Sequence, residues 1–305
     1  MELTKRQITS FQQMILSWWK THRRDLPWRH TRDPYQIMVS EVMLQQTQVH
    51  RVLPKYREFI EALPTVNDLA HTSPAQVLRI WKGMGYNRRA LYLQKAARLI
   101  VEHSSTVIPA DAGIQSKNIN ISDRIEFPKS EKELRKLPGL GTYTARAILV
   151  FAFEQEVPLV DTNIRQIISH FFLIKQAQGR ALMGLKGRAL ENEIEDIARQ
   201  LVPPGKSWEW HQALMDYGAL AMQNAKCQML NKKEKTIPFR DSNRFYRGRI
   251  IDFLREGDLS KSKLIKELRK KHSKSSAFFR PIIAGLVKDG LIERTTSSAL
   301  RLPET

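Results

Sequence analysis

Ser40-Glu41-Val42-Met43-Leu44-Gln45-Gln46-Thr47-Gln48-Val49 is the stretch from which the rest of this chain is read. Asp33-Pro34 precedes it, an N-cap followed by a residue suited to the first helical position, so a helix is expected to start near Pro34. On that helix Glu41 has Ile37, Met38, Leu44 and Gln45 as neighbours three and four positions away. A carboxyl among mostly apolar neighbours loses hydration, which disfavours its charged form and raises its pKa. Such a group can hold a proton near neutral pH and deliver it to a leaving group. The plainer alternative is a glutamate that points into solvent.

Working outward, four further stretches carry chemistry. Leu26-Pro27-Trp28-Arg29 lies just upstream, where Trp28 reads as core or as a pocket wall. Gly83-Met84-Gly85-Tyr86 joins two helical patterns; its glycines permit positive φ, and an exposed aromatic beside them can wedge between stacked bases. Leu137-Pro138-Gly139-Leu140-Gly141-Thr142-Tyr143-Thr144 breaks one helix and starts another, exposing backbone N–H groups that favour an anion. A simple helix–helix turn is the bland reading. Val160-Asp161 ends an apolar run before a helix of Ile164, Ile167, Ile168 and Phe171. Asp161 as an N-cap would accept N–H bonds worth about 1 kcal/mol, and those bonds would also keep it ionised. An ionised carboxylate suits a developing positive charge, so a protonated Glu41 and a charged Asp161 have the logic of a retaining glycosidase.

Composition narrows the partner. The chain of 305 residues has a net charge of +19, the footprint expected for a partner made of phosphates. Residues 226–305 hold 20 Lys and Arg against 9 Asp and Glu, and residues 1–225 hold 30 against 22, so the tail is the denser and binding should weaken steeply with salt. No apolar run spans a membrane and no signal core opens the chain, which points to the cytoplasm. Cys227 is the only cysteine, which rules out an internal disulfide or a cysteine-ligated cluster within one chain.

Taken together and in this order, the five stretches resemble the MutY adenine DNA glycosylases of the helix-hairpin-helix (HhH-GPD) superfamily, over roughly residues 1–225. The resemblance implies that Glu41 protonates the adenine and then activates water, that Asp161 stabilises C1′, and that Tyr143 helps hold that arrangement. It implies a pocket for the extruded base from Leu26, Trp28, Arg29, Gln212 and Met215. It implies duplex contacts from Gln45, Gln46, Thr47, Tyr86, Arg88, Pro138, Gly139, Leu140, Gly141 and Thr144, with Tyr86 as the wedge and Gln46 filling the helix from the other side; a solvated helix glutamine is the alternative for Gln46. Relatives that also cut the backbone carry Lys where Tyr143 stands, so a monofunctional enzyme is expected. A monovalent cation is implied at the Gly139/Gly141 hairpin. Most relatives carry a four-cysteine iron–sulfur loop after the Trp208–Met222 helix; with Cys227 alone, no such cofactor is expected.

The expected architecture is mostly α. A six-helix module covers about 27–150 and includes an insertion at about 105–127, where no period is sustained. A helical domain is assembled from both flanks, 1–26 and 151–230. A basic linker at 231–243 leads to 244–305, whose helical patterns at Arg244–Arg255, Ser260–Lys271 and Ser276–Asp289 precede a hairpin turning at Ser297-Ser298, as in a winged helix. This α+β tail replaces the family's usual 8-oxoguanine-reading domain, and its charges are read either as phosphate contacts or as a solvated docking module. The expected partner is double-stranded DNA carrying an adenine mispaired with 8-oxoguanine or guanine, bound by a monomer. A glycosylase for another mispaired base, or a non-catalytic DNA-binding protein using the winged helix, are the alternatives.

Overall fold

The structure, a computed structural model, describes residues 1–107, 125–174, 187–222 and 238–304. Most of the 105–127 insertion, Cys227 and most of the 231–243 linker therefore lie outside the described residues. By internal contacts the chain divides into two compact units: Met1–Met38, Lys129–Arg135 and Leu140–Glu234 form the first, and Val39–Pro128, Lys136–Gly139 and Lys235–Thr305 the second.

In the first unit, α1 (Lys5–His22) opens on a Thr4/Gln7 capping box. Its apolar face, Phe11, Ile15 and Trp19, enters a core completed by three later helices: α9 (Thr162–Ile168), α10 (Arg188–Leu201) and α11 (Ser207–Leu220). Ile164, Ile167, Ile194, Ile197, Trp210 and Leu214 are the main buried contributors from those helices. Burying each such side chain is worth about 1.5–3 kcal/mol. The unit also holds α7 (Glu131–Leu134) and α8 (Thr142–Phe153). Helix α7 is a single turn rather than a helix running on to the Pro138 break.

Helix α2 (Pro34–Leu44) is shared by the two units. The second unit continues with α3 (Val49–Ala62), α4 (Val66–His71), α5 (Pro74–Ile80) and α6 (Arg88–Val107), around Val52, Phe59, Leu69, Leu78, Trp81 and Leu93. Its C-terminal part comprises α12 (Asn243–Arg255), α13 (Lys261–Lys271) and α14 (Ser276–Lys288), with serine N-caps at 242, 260 and 275. The expected hairpin is present as β2 (Glu293–Arg294) and β3 (Ala299–Arg301), with Ser298 at φ 62 in its turn. A strand not foreseen, β1 (Leu259–Ser260), pairs antiparallel with β3 and gives the order β1-β3-β2 of a winged helix. Two residues are too few for an alternating pattern to reveal a strand. Among the described residues no helix is long and apolar enough to cross a membrane.

Candidate active site

The helix that carries Glu41 ends sooner than its motif suggests. Helix α2 stops at Leu44, Gln46 takes φ 53, and α3 begins at Val49, so Gln46 lies in a turn and not on a helix. The cause is Arg89, on the first turn of α6. Its guanidinium donates to the carbonyls of Val42 (2.8 Å), Met43 (3.0 Å) and Gln45 (2.5 Å) and to Thr47 Oγ1 (3.1 Å). These are carbonyls that a helix end leaves without intrahelical partners, and a cation there also suits the helix dipole. Burial lowers the Arg89 pKa to about 10, against a smaller raising effect of Tyr86, and it stays charged at neutral pH. Glu41 itself is buried, at 6% exposure, with Ile37 and Met38 on the same helix at 1% and 0%. The solvent-facing alternative is thereby excluded.

Gln45, Gln46, Thr47, Tyr86, Arg88 and Gly139, all expected on the duplex, line one cleft of about 900 Å³ in the second unit. Seven arginines and two aspartates, Asp252 and Asp289, share its walls, so it is strongly cationic. Glu41 is not among its lining residues. Tyr86 is an exposed aromatic at φ 46, a strained conformation for a bulky residue. Arg88 is ion-paired with Asp289 and so is partly committed within the protein. Gly139 has φ 81, and a Cβ there would lie 2.9 Å from Tyr92 Cβ, so both backbone and space require glycine. Its carbonyl accepts from Gln45 Nε2 at 3.3 Å.

In the first unit, Gly141 is the N-cap of α8 and supplies no side-chain cap, which leaves first-turn N–H groups for an outside acceptor. A Cβ at Gly141 would meet nothing, so the approach is open to a phosphate or a bridging cation. Tyr143 is half-buried in that turn, and Pro138 before the hairpin is half-buried. Leu140, just before the Gly141 N-cap, and Thr144, on the buried side of α8 with Ala145 and Ile148, were both expected on DNA and are buried at 5% and 3%.

Asp161 is the N-cap of α9: Oδ1 accepts from Ile164 N at 2.7 Å and Oδ2 from Asn163 Nδ2 at 3.0 Å. The segment before it is anchored by His211 of α11, whose Nε2 accepts the Leu159 N–H at 3.2 Å. A backbone N–H can only donate, so Nδ1 carries the ring proton and donates to Ser207 O at 2.7 Å. Burial pushes this histidine down to about 4, against the raising effect of the Ser207 bond. Gly218 of α11 brings the helix against α9; a Cβ there would lie 2.5 Å from Asn163 Cβ.

Leu26, Trp28 and Gln212 are buried and Met215 is half-buried, on elements packed in the same unit. Arg29, expected to grip the base, is instead committed to Asp216, with two bonds of 2.8 Å. Asp216 is fully buried and also accepts from Arg24 Nε (2.6 Å), Arg24 N (3.0 Å) and Trp19 Nε1 (2.9 Å). Burial alone would raise its pKa, but the guanidinium groups of Arg29 and Arg24 outweigh it and hold the carboxyl below the usual range. The hub fixes the Leu26–Arg29 segment to α11. Arg89, Asp216, His211 and Gly218 were all missed in the sequence; an acid and a histidine set among the apolar positions of α11 were the only trace of two of them.

The profile described as HhH-GPD superfamily base excision DNA repair protein matches residues 39–185, which is the class that the hairpin and the buried acid define. An adenine DNA glycosylase of Mycobacterium tuberculosis (strain ATCC 25618 / H37Rv) is 30% identical over 308 residues, covering 95% of this chain and 92% of that protein. An adenine DNA glycosylase of Mycolicibacterium smegmatis is 37% identical over 207 residues, 67% of this chain and 61% of that protein. Among solved structures, a thermostable thymine-DNA glycosylase superposes with a TM-score of 0.59 at 29% identity, covering 75% of this chain and 95% of that one. The chain belongs to the adenine DNA glycosylase family of the HhH-GPD superfamily. The four-cysteine iron–sulfur cluster that most relatives carry does not fit this chain, which has one cysteine where four ligands are needed.

Proposed function

We propose that this DNA glycosylase hydrolyses the N-glycosidic bond of adenine mispaired with guanine or 8-oxoguanine, acting as a monomer on nucleoid DNA in the cytoplasm. The observation that carries the reading is the burial of Glu41 on α2, an acid withdrawn from water on a helix end that Arg89 fixes. A mispaired base leaves the stack at a cost of roughly a few kcal/mol, less than a paired one. Glu41 protonates adenine N7; the C1′–N9 bond breaks with its electron pair going to the base. Asp161, ionised at its helix start, stabilises the positive charge at C1′, and water activated by Glu41 then adds there to leave an abasic site. Trp28 and Gln212 border the base, and the backbone of the Gly139/Gly141 hairpin would hold a monovalent cation, whose positive charge would favour a DNA phosphate there. Tyr143 offers no amine for attack on the sugar, so the strand stays uncut.

A second reading, removal of a mispaired thymine, is favoured by the similarity to a thymine-DNA glycosylase. Duplexes holding A:8-oxoG, A:G, A:C, T:G and U:G, incubated with the chain and scored with and without alkali, separate the two. Alkali-dependent cleavage confined to the adenine strand of A:G and A:8-oxoG is the expected outcome. Cleavage at T:G instead gives the second reading, and cleavage without alkali overturns the monofunctional assignment.

A further inference from the structure

Tyr86 is held in its exposed, strained position by side chains from two sides of the sequence. Arg89 lies 5.3 Å from the ring centroid and ties the turn to the end of α2. Arg244, in the first turn of α12, lies 4.7 Å from the same centroid and donates to the Tyr86 hydroxyl. The Arg244 guanidinium is also 4.8 Å from the ring of Phe239, so it is stacked against two aromatics at the rim of the cationic cleft. Among the described residues it faces no carboxylate within ion-pair distance, unlike Arg88 and Arg247, which share Asp289. Its local partners are therefore the two rings and a hydroxyl, a geometry that a planar guanidinium meets and an ammonium does not.

We propose that Arg244 is a positioning residue for Tyr86: through it the C-terminal winged module sets the ring that enters the DNA stack opposite the excised base. A ring in a left-handed turn just after Gly83 and Gly85 has little of its own to fix it, and an aromatic that wedges between bases works only if it arrives pre-placed. The winged module supplies that placement, and Arg89 passes it on to α2. The proposal rests on the glycosylase reading of the site, so its test has one readout that needs no chemistry.

The full-length chain and the variants R244A, R244K, Y86A and R244A/Y86A are each bound to an A:G duplex with 2-aminopurine next to the guanine. Unstacking by the inserted ring raises the fluorescence of the probe. Single-turnover adenine release is measured on the same duplexes. The wild type is expected to raise the fluorescence, and R244A to lower both that rise and the rate by about fivefold, with affinity for a fully paired duplex changed less than about twofold. R244K should behave as R244A, and R244A/Y86A as Y86A alone, because Arg244 acts through the ring. Additive losses in the double variant, or full rescue by lysine, would show a plain phosphate contact and overturn the proposal. So would a wild type that leaves the probe dark. Should no duplex lose a base, the proposed function fails while the fluorescence cycle still decides the role of Arg244.

Discussion

Glu41 sits three residues before the end of α2, and Asp161 sits immediately before the start of α9, but the two carboxyls are held by different means. Asp161 is placed by its own neighbourhood, through the Ile164 N–H and the Asn163 amide within three residues. Glu41 is placed by packing and by an arginine more than forty residues away in the sequence, which ends its helix after Leu44. Local chemistry tolerates substitution by any residue that reproduces the bond; distant scaffolding does not. The contrast predicts where rate and stability can be separated.

The largest effect is expected from Glu41→Gln. It keeps the shape of the side chain but removes its proton, and single-turnover adenine release should fall by about a thousandfold, or roughly 4 kcal/mol of barrier. DNA binding should be retained; a variant that still releases the base at a comparable rate sinks the role of Glu41. Asp161→Asn comes next, at a hundredfold or more in rate, roughly 3 kcal/mol. Asparagine caps a helix about as well as aspartate, so the midpoint of thermal unfolding should barely move. A large drop in that midpoint would mean that Asp161 is structural after all.

Arg89→Ala attacks the other side of the comparison. It strips a charged donor from three carbonyls, and a loss of about 3 kcal/mol in urea unfolding is expected, with slower base release because the end of α2 is freed. No change in stability would show that the Gln45–Gln48 turn holds itself.

Much of this was legible in the chain. Helix α8 begins just after the glycine break as read, the three C-terminal helices follow their apolar faces, and Glu41 falls among apolar neighbours. Asp161 precedes Thr162-Asn163-Ile164 in the manner of a cap. What was hidden depends on partners far apart in sequence. Gln45-Gln46 carries no turn signal, because its φ is imposed by Arg89. Arg29 reads as a base-gripping residue until Asp216, well over a hundred positions later, is seen to bind it. Arg244 reads as one charge in a basic tail until Tyr86 is placed beneath it.

His211 gives the comparison a pH dependence. Its folded pKa, about 4, lies below the 6.5 of the free side chain, so the unfolded chain binds the proton more tightly. The stabilisation is therefore fully present above about 6.5 and is lost as pH falls towards 4, by on the order of 3 kcal/mol. Asp216, whose pKa is lowered, loses its own contribution only at still lower pH, in the range below an ordinary carboxyl. Chemical denaturation of the wild type and of His211→Gln at pH 7, 6 and 5 should show the slope in the first and a flatter line in the second. Equal slopes would remove His211 as the anchor of the Leu159–Asp161 segment.

Gly218→Ala is the gentlest probe and the one that bears most directly on how locally Asp161 is held. One methyl there would overlap Asn163 Cβ, and Asn163 also donates to Asp161 Oδ2. Relief requires α9 to move off α11 by a few tenths of an ångström or more, at about 1–3 kcal/mol for an overpacked contact. If the cap bonds travel with α9, Asp161 keeps its partners, and stability drops while the pH–rate profile keeps its shape. If the rate falls further than the fraction folded, the position of the cap relative to α11 matters as well as its bonds. Asp161 would then share with Glu41 a dependence on distant packing, and the distinction between the two acids would narrow to one of degree.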